Sequence, residues 1–179
     1  MKKIFFLIII LSSIKGYTQT LEENKTDEFT KAIVKRSSWE KLVFTKKMKD
    51  FHGFTCYFRF SRIDTSYFMD IKIMLRGGNK VFSIDDKAKI MLKLSNDSIY
   101  TLCNLSYQIS SLGKGAIGFA GSQGMGIQTS YISISDKKMA MLEEYYIKKI
   151  RIYTNDGYVE SDVIDEYSSL VISAIKLLR

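Results

Sequence analysis

Phe54-Thr55-Cys56-Tyr57-Phe58-Arg59-Phe60-Ser61 and Tyr67-Phe68-Met69-Asp70-Ile71-Lys72-Ile73-Met74-Leu75 decide the fold. In the first run Phe54, Cys56, Phe58 and Phe60 alternate with Thr55, Tyr57, Arg59 and Ser61. In the second, Tyr67, Met69, Ile71, Ile73 and Leu75 alternate with Phe68, Asp70, Lys72 and Met74. A period of two places alternate side chains on opposite faces of a strand. Ile63-Asp64-Thr65 breaks the pattern once, so the two runs predict a hairpin with one face buried.

Downstream the same patterning recurs. Arg76-Gly77-Gly78-Asn79 predicts a turn and Val81 to Ile84 a short strand closed by Asp85-Asp86. Ile90, Leu92 and Leu94 alternate with Lys89, Met91 and Lys93, and Ser95-Asn96-Asp97-Ser98 turns the chain into Ile99 to Leu105, a second hairpin. Ile127 to Ser135 reads as a strand, and Asp136 as the cap of a short helix carrying Met139 and Leu142 and ending near Tyr145. Ile147 to Thr154 is a further strand, returned by the Asn155-Asp156-Gly157 turn to Tyr158-Val159. From Asp162, Ile164, Tyr167, Val171, Ala174, Ile175 and Leu178 lie on a stripe of helical period, which needs an apolar surface to cover it. Hairpins followed by packed helices predict an α+β fold, an antiparallel sheet with a packed C-terminal helix. A β-sandwich with peripheral helices is the alternative.

Upstream, residues 20–36 are polar. Phe29, Ile33 and Val34 follow Asp27 at helical spacing, which predicts a short helical or polar lead-in over 19–36 before a single domain over 37–179. Met1-Lys2-Lys3 and the unbroken run Ile4 to Leu11 have the order of a secretory signal, expected over 1–18. The apolar run is too short for a spanning helix, which takes about 20 residues. Lys15 opposes translocation, and cleavage is expected between Gly16 and Gln19. No cysteine near that point could carry a lipid anchor. The expected location is the periplasm or the extracellular medium.

Loss of the leader lowers the formal charge from +8 to +5, because Lys2, Lys3 and Lys15 leave with no acid. The remaining excess is spread, with Lys46-Lys47-Met48-Lys49 and Lys148-Lys149-Ile150-Arg151 its densest clusters. That distribution reads as a solvated basic surface rather than a nucleic-acid footprint. With no proline in the chain, turns fall to Gly, Asn, Asp and Ser. An oxidising compartment permits a disulfide between Cys56 and Cys103, and two buried free thiols are the other reading.

The segment 113–126, GKGAIGFAGSQGMG, holds six of the eleven glycines. It matches GxGxxG, but the further glycines oppose a helix and no βαβ unit surrounds it, so no dinucleotide cofactor is expected. Ile117, Phe119 and Met125 on a pliable backbone predict a partner-binding loop, with Gly115, Gly118 and Gly121 supplying its freedom. His52, the lone histidine, has no evident partners for metal or nucleophilic chemistry. The acids at Asp85-Asp86, Glu143-Glu144 and Asp162 to Glu166 read as caps and solvated faces. Asn24-Lys25-Thr26, Asn96-Asp97-Ser98 and Asn104-Leu105-Ser106 match the N-glycosylation triplet, which bacterial export leaves bare.

The leader IFFLIII followed by YTQT resembles signal peptides of Bacteroidetes-type bacteria. KIMLKLSNDSIYTL at 89–102, the run from Tyr131 to Leu142 and that from Ile150 to Glu160 are similar to parts of small secreted proteins of that group. The resemblance implies location and no activity. In such bacteria Asp97-Ser98-Ile99 resembles an O-glycosylation acceptor, which would modify Ser98. The reading that results is an exported, non-enzymatic protein binding a protein or envelope component, an immunity protein being one form. A small hydrolase acting on envelope polymers is the alternative. No catalytic residue, metal or cofactor is assigned, and neither a transmembrane span nor nucleic acid is expected.

Overall fold

The structure, a computed structural model, describes residues 19–45, 53–76, 80–114, 124–131 and 135–179. Its centre is the long hairpin of β4 (Gly53–Ile63) and β5 (Ser66–Arg76), in register from Gly53 opposite Arg76 to Ile63 opposite Ser66. Asp64 takes the left-handed conformation the tight turn requires (φ 52°), one that Asp tolerates better than most residues. Phe54, Cys56, Phe58 and Phe60 face Leu75, Ile73, Ile71 and Met69 across the pair, and all eight are buried. β11 (Gly124–Tyr131) lies antiparallel on the far side of β5 and adds Met125, Ile127 and Tyr131 to those rows.

Four further strands complete this sheet. β2 (Ile33–Ser37) pairs with the C-terminal part of β4, and β3 (Glu40–Thr45) with its N-terminal part. β1 (Leu21–Thr26) and β10 (Ser111–Leu112) are the edges, giving the order β1-β2-β4-β5-β11-β10 with β3 beside β4. β6 (Ser83–Ile84) pairs separately with β9 (Gln108–Ile109). The predicted second hairpin is β7 (Lys89–Leu94) with β8 (Ile99–Cys103). With β12 (Ile147–Thr154) and β13 (Gly157–Asp162) it forms a four-stranded sheet, β13-β12-β7-β8.

The inward residues of both sheets belong to one apolar cluster. Among the described residues there are two helices, α1 (Asp136–Glu144) and α2 (Asp165–Leu178). α2 buries Leu170, Val171, Ala174, Ile175 and Leu178 and touches β2, β3, β4 and β12. Its Ser168 hydroxyl accepts the Ile147 amide at 2.6 Å, and Arg62 donates to the carbonyl oxygens of Leu178 and Arg179, the groups a helix end leaves unpaired. The fold is α+β, mostly antiparallel sheet, with a helix at the C terminus. No described helix is long and apolar enough to cross a membrane.

Two expectations are corrected. Residues 20–36 contain no helix but the β1–β2 hairpin. Asp27 accepts the amides of Phe29 (3.0 Å) and Thr30 (2.7 Å), as a cap would, but Lys31 turns left-handed (φ 62°) and the Asp27 amide donates to the Ala32 carbonyl at 2.8 Å, so the chain reverses after one turn. Phe29, expected at helical spacing with Ile33 and Val34, is 94% exposed. The β4–β5 hairpin is also not bare on its second face, where Thr55, Ser61, Asp70 and Met74 are buried. The signal over 1–18, the Lys46–Lys49 cluster and the turn at 77–79 lie outside the described residues.

Candidate functional site

The second face of the seven-stranded sheet carries the densest polar chemistry. Antiparallel register sets Arg59, Asp70 and Ser130 in one row across β4, β5 and β11. Asp70 is a nearly buried acceptor. One of its oxygens receives Arg59 Nε at 2.8 Å and Ser61 Oγ at 2.9 Å, and the other receives Ser130 Oγ at 2.5 Å. These are charge-assisted bonds, and they let a carboxylate sit on a sheet face largely removed from water.

Beside that row stands the chain's single tryptophan, Trp39, in the link between β2 and β3. The Arg59 guanidinium lies 4.6 Å and the Lys72 ammonium 4.1 Å from its ring centre. Such geometry is attractive through the ring quadrupole. Arg59 is shared with Asp70 and, more distantly, with Glu22 at 3.9 Å. No carboxylate among the described residues lies within ion-pair distance of Lys72. Burial pulls the pKa of the Lys72 ammonium down and the neighbouring Arg59 charge adds to the effect; Glu22 and Asp70 work in the opposite direction. The next aromatic of β3, Phe44, carries Lys41 at 5.3 Å and Arg76 at 4.8 Å.

A different surface lies where the chain leaves β8. Tyr107 (56%), Ile109 (53%) and Leu112 (69%) are exposed within six residues, next to exposed Leu105, and Val81 is exposed beside β6. β10 then pairs Ser111 with Gly126 and Leu112 with Met125, so the Gly-rich stretch starts where β10 ends and its last residues, Gly124 to Gly126, belong to β11. Gly113 opens it in the left-handed region (φ 72°) and donates its amide to the Gly124 carbonyl at 2.9 Å. A Cβ on Gly126 would stand 1.5 Å from the Lys114 carbonyl oxygen, so the returning backbone requires glycine there.

The expected site residues are scattered by this arrangement. Gly115, Ile117, Gly118, Phe119 and Gly121 lie outside the described residues, as does His52. Met125 is not a contact residue. It is buried on β11, and its place in the Phe54–Leu75 row makes it core. Cys56 and Cys103 are free thiols. Cys56 is sealed inside β4 and Cys103 is exposed at the end of β8, in the other sheet, so the bridge permitted by the compartment is not formed. Burial pushes the Cys56 thiol up to about 12. Ser98 sits in the β7–β8 turn, half-buried, with its hydroxyl donated to Asn96 Oδ1 at 2.6 Å. Asn104 is 2% exposed and its amide nitrogen donates to the carbonyls of Asp85 and Ser106, which withdraws it from any modifying enzyme. Among the described residues no group of three His, Cys, Asp or Glu could hold a metal ion. No protein-family model, curated protein or solved structure matches this chain.

Proposed function

We propose that the chain is an exported, non-enzymatic protein of the periplasm or medium that binds a protein or envelope component. Contact is made through the exposed segment Leu105 to Leu112 and the hairpin connection it enters. The observation that carries this reading is the exposure of Tyr107, Ile109 and Leu112 on one short edge segment. Large apolar side chains grouped on a surface are costly in water and mark contact sites. The export half of the proposal rests on the basic start and apolar run of the first 18 residues. An immunity protein that neutralises a toxin is one form such a binder takes. In finer architecture we read an antiparallel sheet of hairpins with the C-terminal helix packed on it, supported by the contacts of α2 with β2, β3 and β4.

Affinity capture from envelope extract tests the reading. The purified protein should retain a defined partner that withstands moderate salt, as an apolar contact does. Full-length protein recovered from the cytosol with its leader intact would contradict the export half.

A further inference from the structure

The outward faces of the two sheets both carry cations, and they differ in how many are paired with an acid. On the four-stranded sheet Lys93 pairs with Asp97 at 3.1 Å, and Lys149 and Arg151 both pair with Glu160, at 3.1 and 2.5 Å. On the seven-stranded sheet the register makes a continuous row of Lys41, Tyr57, Lys72 and Gln128 across β3, β4, β5 and β11. Neither Lys41 nor Lys72 has a carboxylate within ion-pair distance among the described residues. Nor does Arg76, and its Nε is buried without a hydrogen-bond partner. The Trp39 and Phe44 rings on this face already carry cations, so they hold the charges in place and are not free to stack on bases.

From this juxtaposition we infer that the Lys41–Tyr57–Lys72–Gln128 row is a binding strip for a carboxylate-bearing polysaccharide. Strands lie about 4.8 Å apart, so the two lysines stand on backbone positions about 10 Å apart. An extended pyranose chain advances by about one strand spacing per sugar, so alternate uronic residues laid across the strands would bring their carboxylates to Lys72 and Lys41. Tyr57 and Gln128 stand between and beyond them with a hydroxyl and an amide, the groups that bond sugar hydroxyls. A carboxylate arriving at Lys72 supplies the counter-charge that Arg59 obtains from Asp70. Arg76, beside Phe44, extends the positive field at one end. The strip is separate from the apolar segment Leu105 to Leu112, and either can hold without the other.

Trp39 is the only tryptophan, so its fluorescence reports on this face alone. Titrating the purified protein with polygalacturonate should give a saturable change in Trp39 emission that fades as salt rises. Neutral dextran should give none, and polyphosphate of matched charge should bind more weakly. Lys41→Gln with Lys72→Gln should weaken polygalacturonate binding at least about tenfold, the loss expected for removing charged hydrogen-bond donors. Lys93→Gln with Lys149→Gln removes the same charge from the other sheet and should leave binding within about twofold. Circular dichroism on each variant shows that the fold is kept, and Lys41→Arg with Lys72→Arg should restore binding if folding is not the cause. The inference is overturned if the polymer does not bind, if polyphosphate binds as well, or if the control pair weakens binding as much as the strip pair.

Discussion

Thr129 on β11 donates its hydroxyl to the amide oxygen of Asn104 at 2.5 Å, tying the seven-stranded sheet to the end of β8 in the four-stranded one. Asn104 also bridges to Tyr131, and its own backbone exchanges bonds with Lys87 and Ala88. Asn104→Ala would leave the buried Thr129 hydroxyl and the partly buried carbonyl oxygens of Asp85 and Ser106 without their partner. We expect a loss of about 2–4 kcal/mol in chemical denaturation, since each unsatisfied buried group costs about 1–3 kcal/mol and some will recover water. Asn104→Asp should cost at least as much, because it sets a carboxylate against two carbonyl oxygens.

Asp70 is the second structural polar group. Asp70→Asn keeps the shape but removes the charge that holds Arg59 and replaces acceptor oxygen with a donor nitrogen. The expected loss is about 2–3 kcal/mol, below the figure for a fully enclosed pair because Arg59 reaches solvent. The double variant Arg59→Met, Asp70→Leu should cost less than Asp70→Asn alone, as measured in the same denaturation series.

The thiols should behave oppositely. Under native conditions iodoacetamide should label Cys103 and spare Cys56, whose thiol is buried and held protonated at neutral pH. Denaturation without reductant should expose the second site, giving two labels per chain by mass spectrometry. No labelling after unreduced denaturation would mean that the two cysteines are bridged after all.

Glu160 has its carboxyl held below the usual range, chiefly by the hydrogen bond from Arg151 and then that from Lys149. A depressed folded-state pKa contributes stability that is present above the ordinary glutamate value and lost as pH falls through the folded one. The stability advantage of the native chain over Glu160→Gln should therefore be flat near neutrality and shrink in acid. Melting temperatures measured across the acid limb check this, and an advantage that grows in acid would contradict it.

Much of this architecture could be read from alternation alone. Phe54 to Phe60 and Tyr67 to Leu75 gave the central hairpin because their apolar positions fall two apart over a long span. The lead-in is deceptive for a physical reason: Phe29, Ile33 and Val34 mimic a helical stripe and Asp27 even bonds as a cap would, but Lys31 turns left-handed and ends the winding after one turn. The polar face was recoverable in principle. Once the turn pairs Ile63 with Ser66, counting outward sets Arg59 against Asp70 and Tyr57 against Lys72. What no local pattern carries is the pairing of β11 with β5, which brings Ser130 to Asp70 from 60 residues away. The place of Met125 in the core depends on the same pairing. Its glycine neighbours suggested a loop, whereas Gly124 and Gly126 are strand residues beside close backbone and side-chain neighbours.

The measurement that bears most directly on the binding proposal compares thermal stability and envelope capture in one triple variant. Tyr107→Ser, Ile109→Ser and Leu112→Ser together change only side chains that are mostly in water. Met125→Ser serves as the contrast, since opening the core there should cost about 2–4 kcal/mol. The account predicts that the triple variant melts with the native protein and loses its captured partner. A triple variant that keeps the partner, or that melts as low as Met125→Ser, would contradict it.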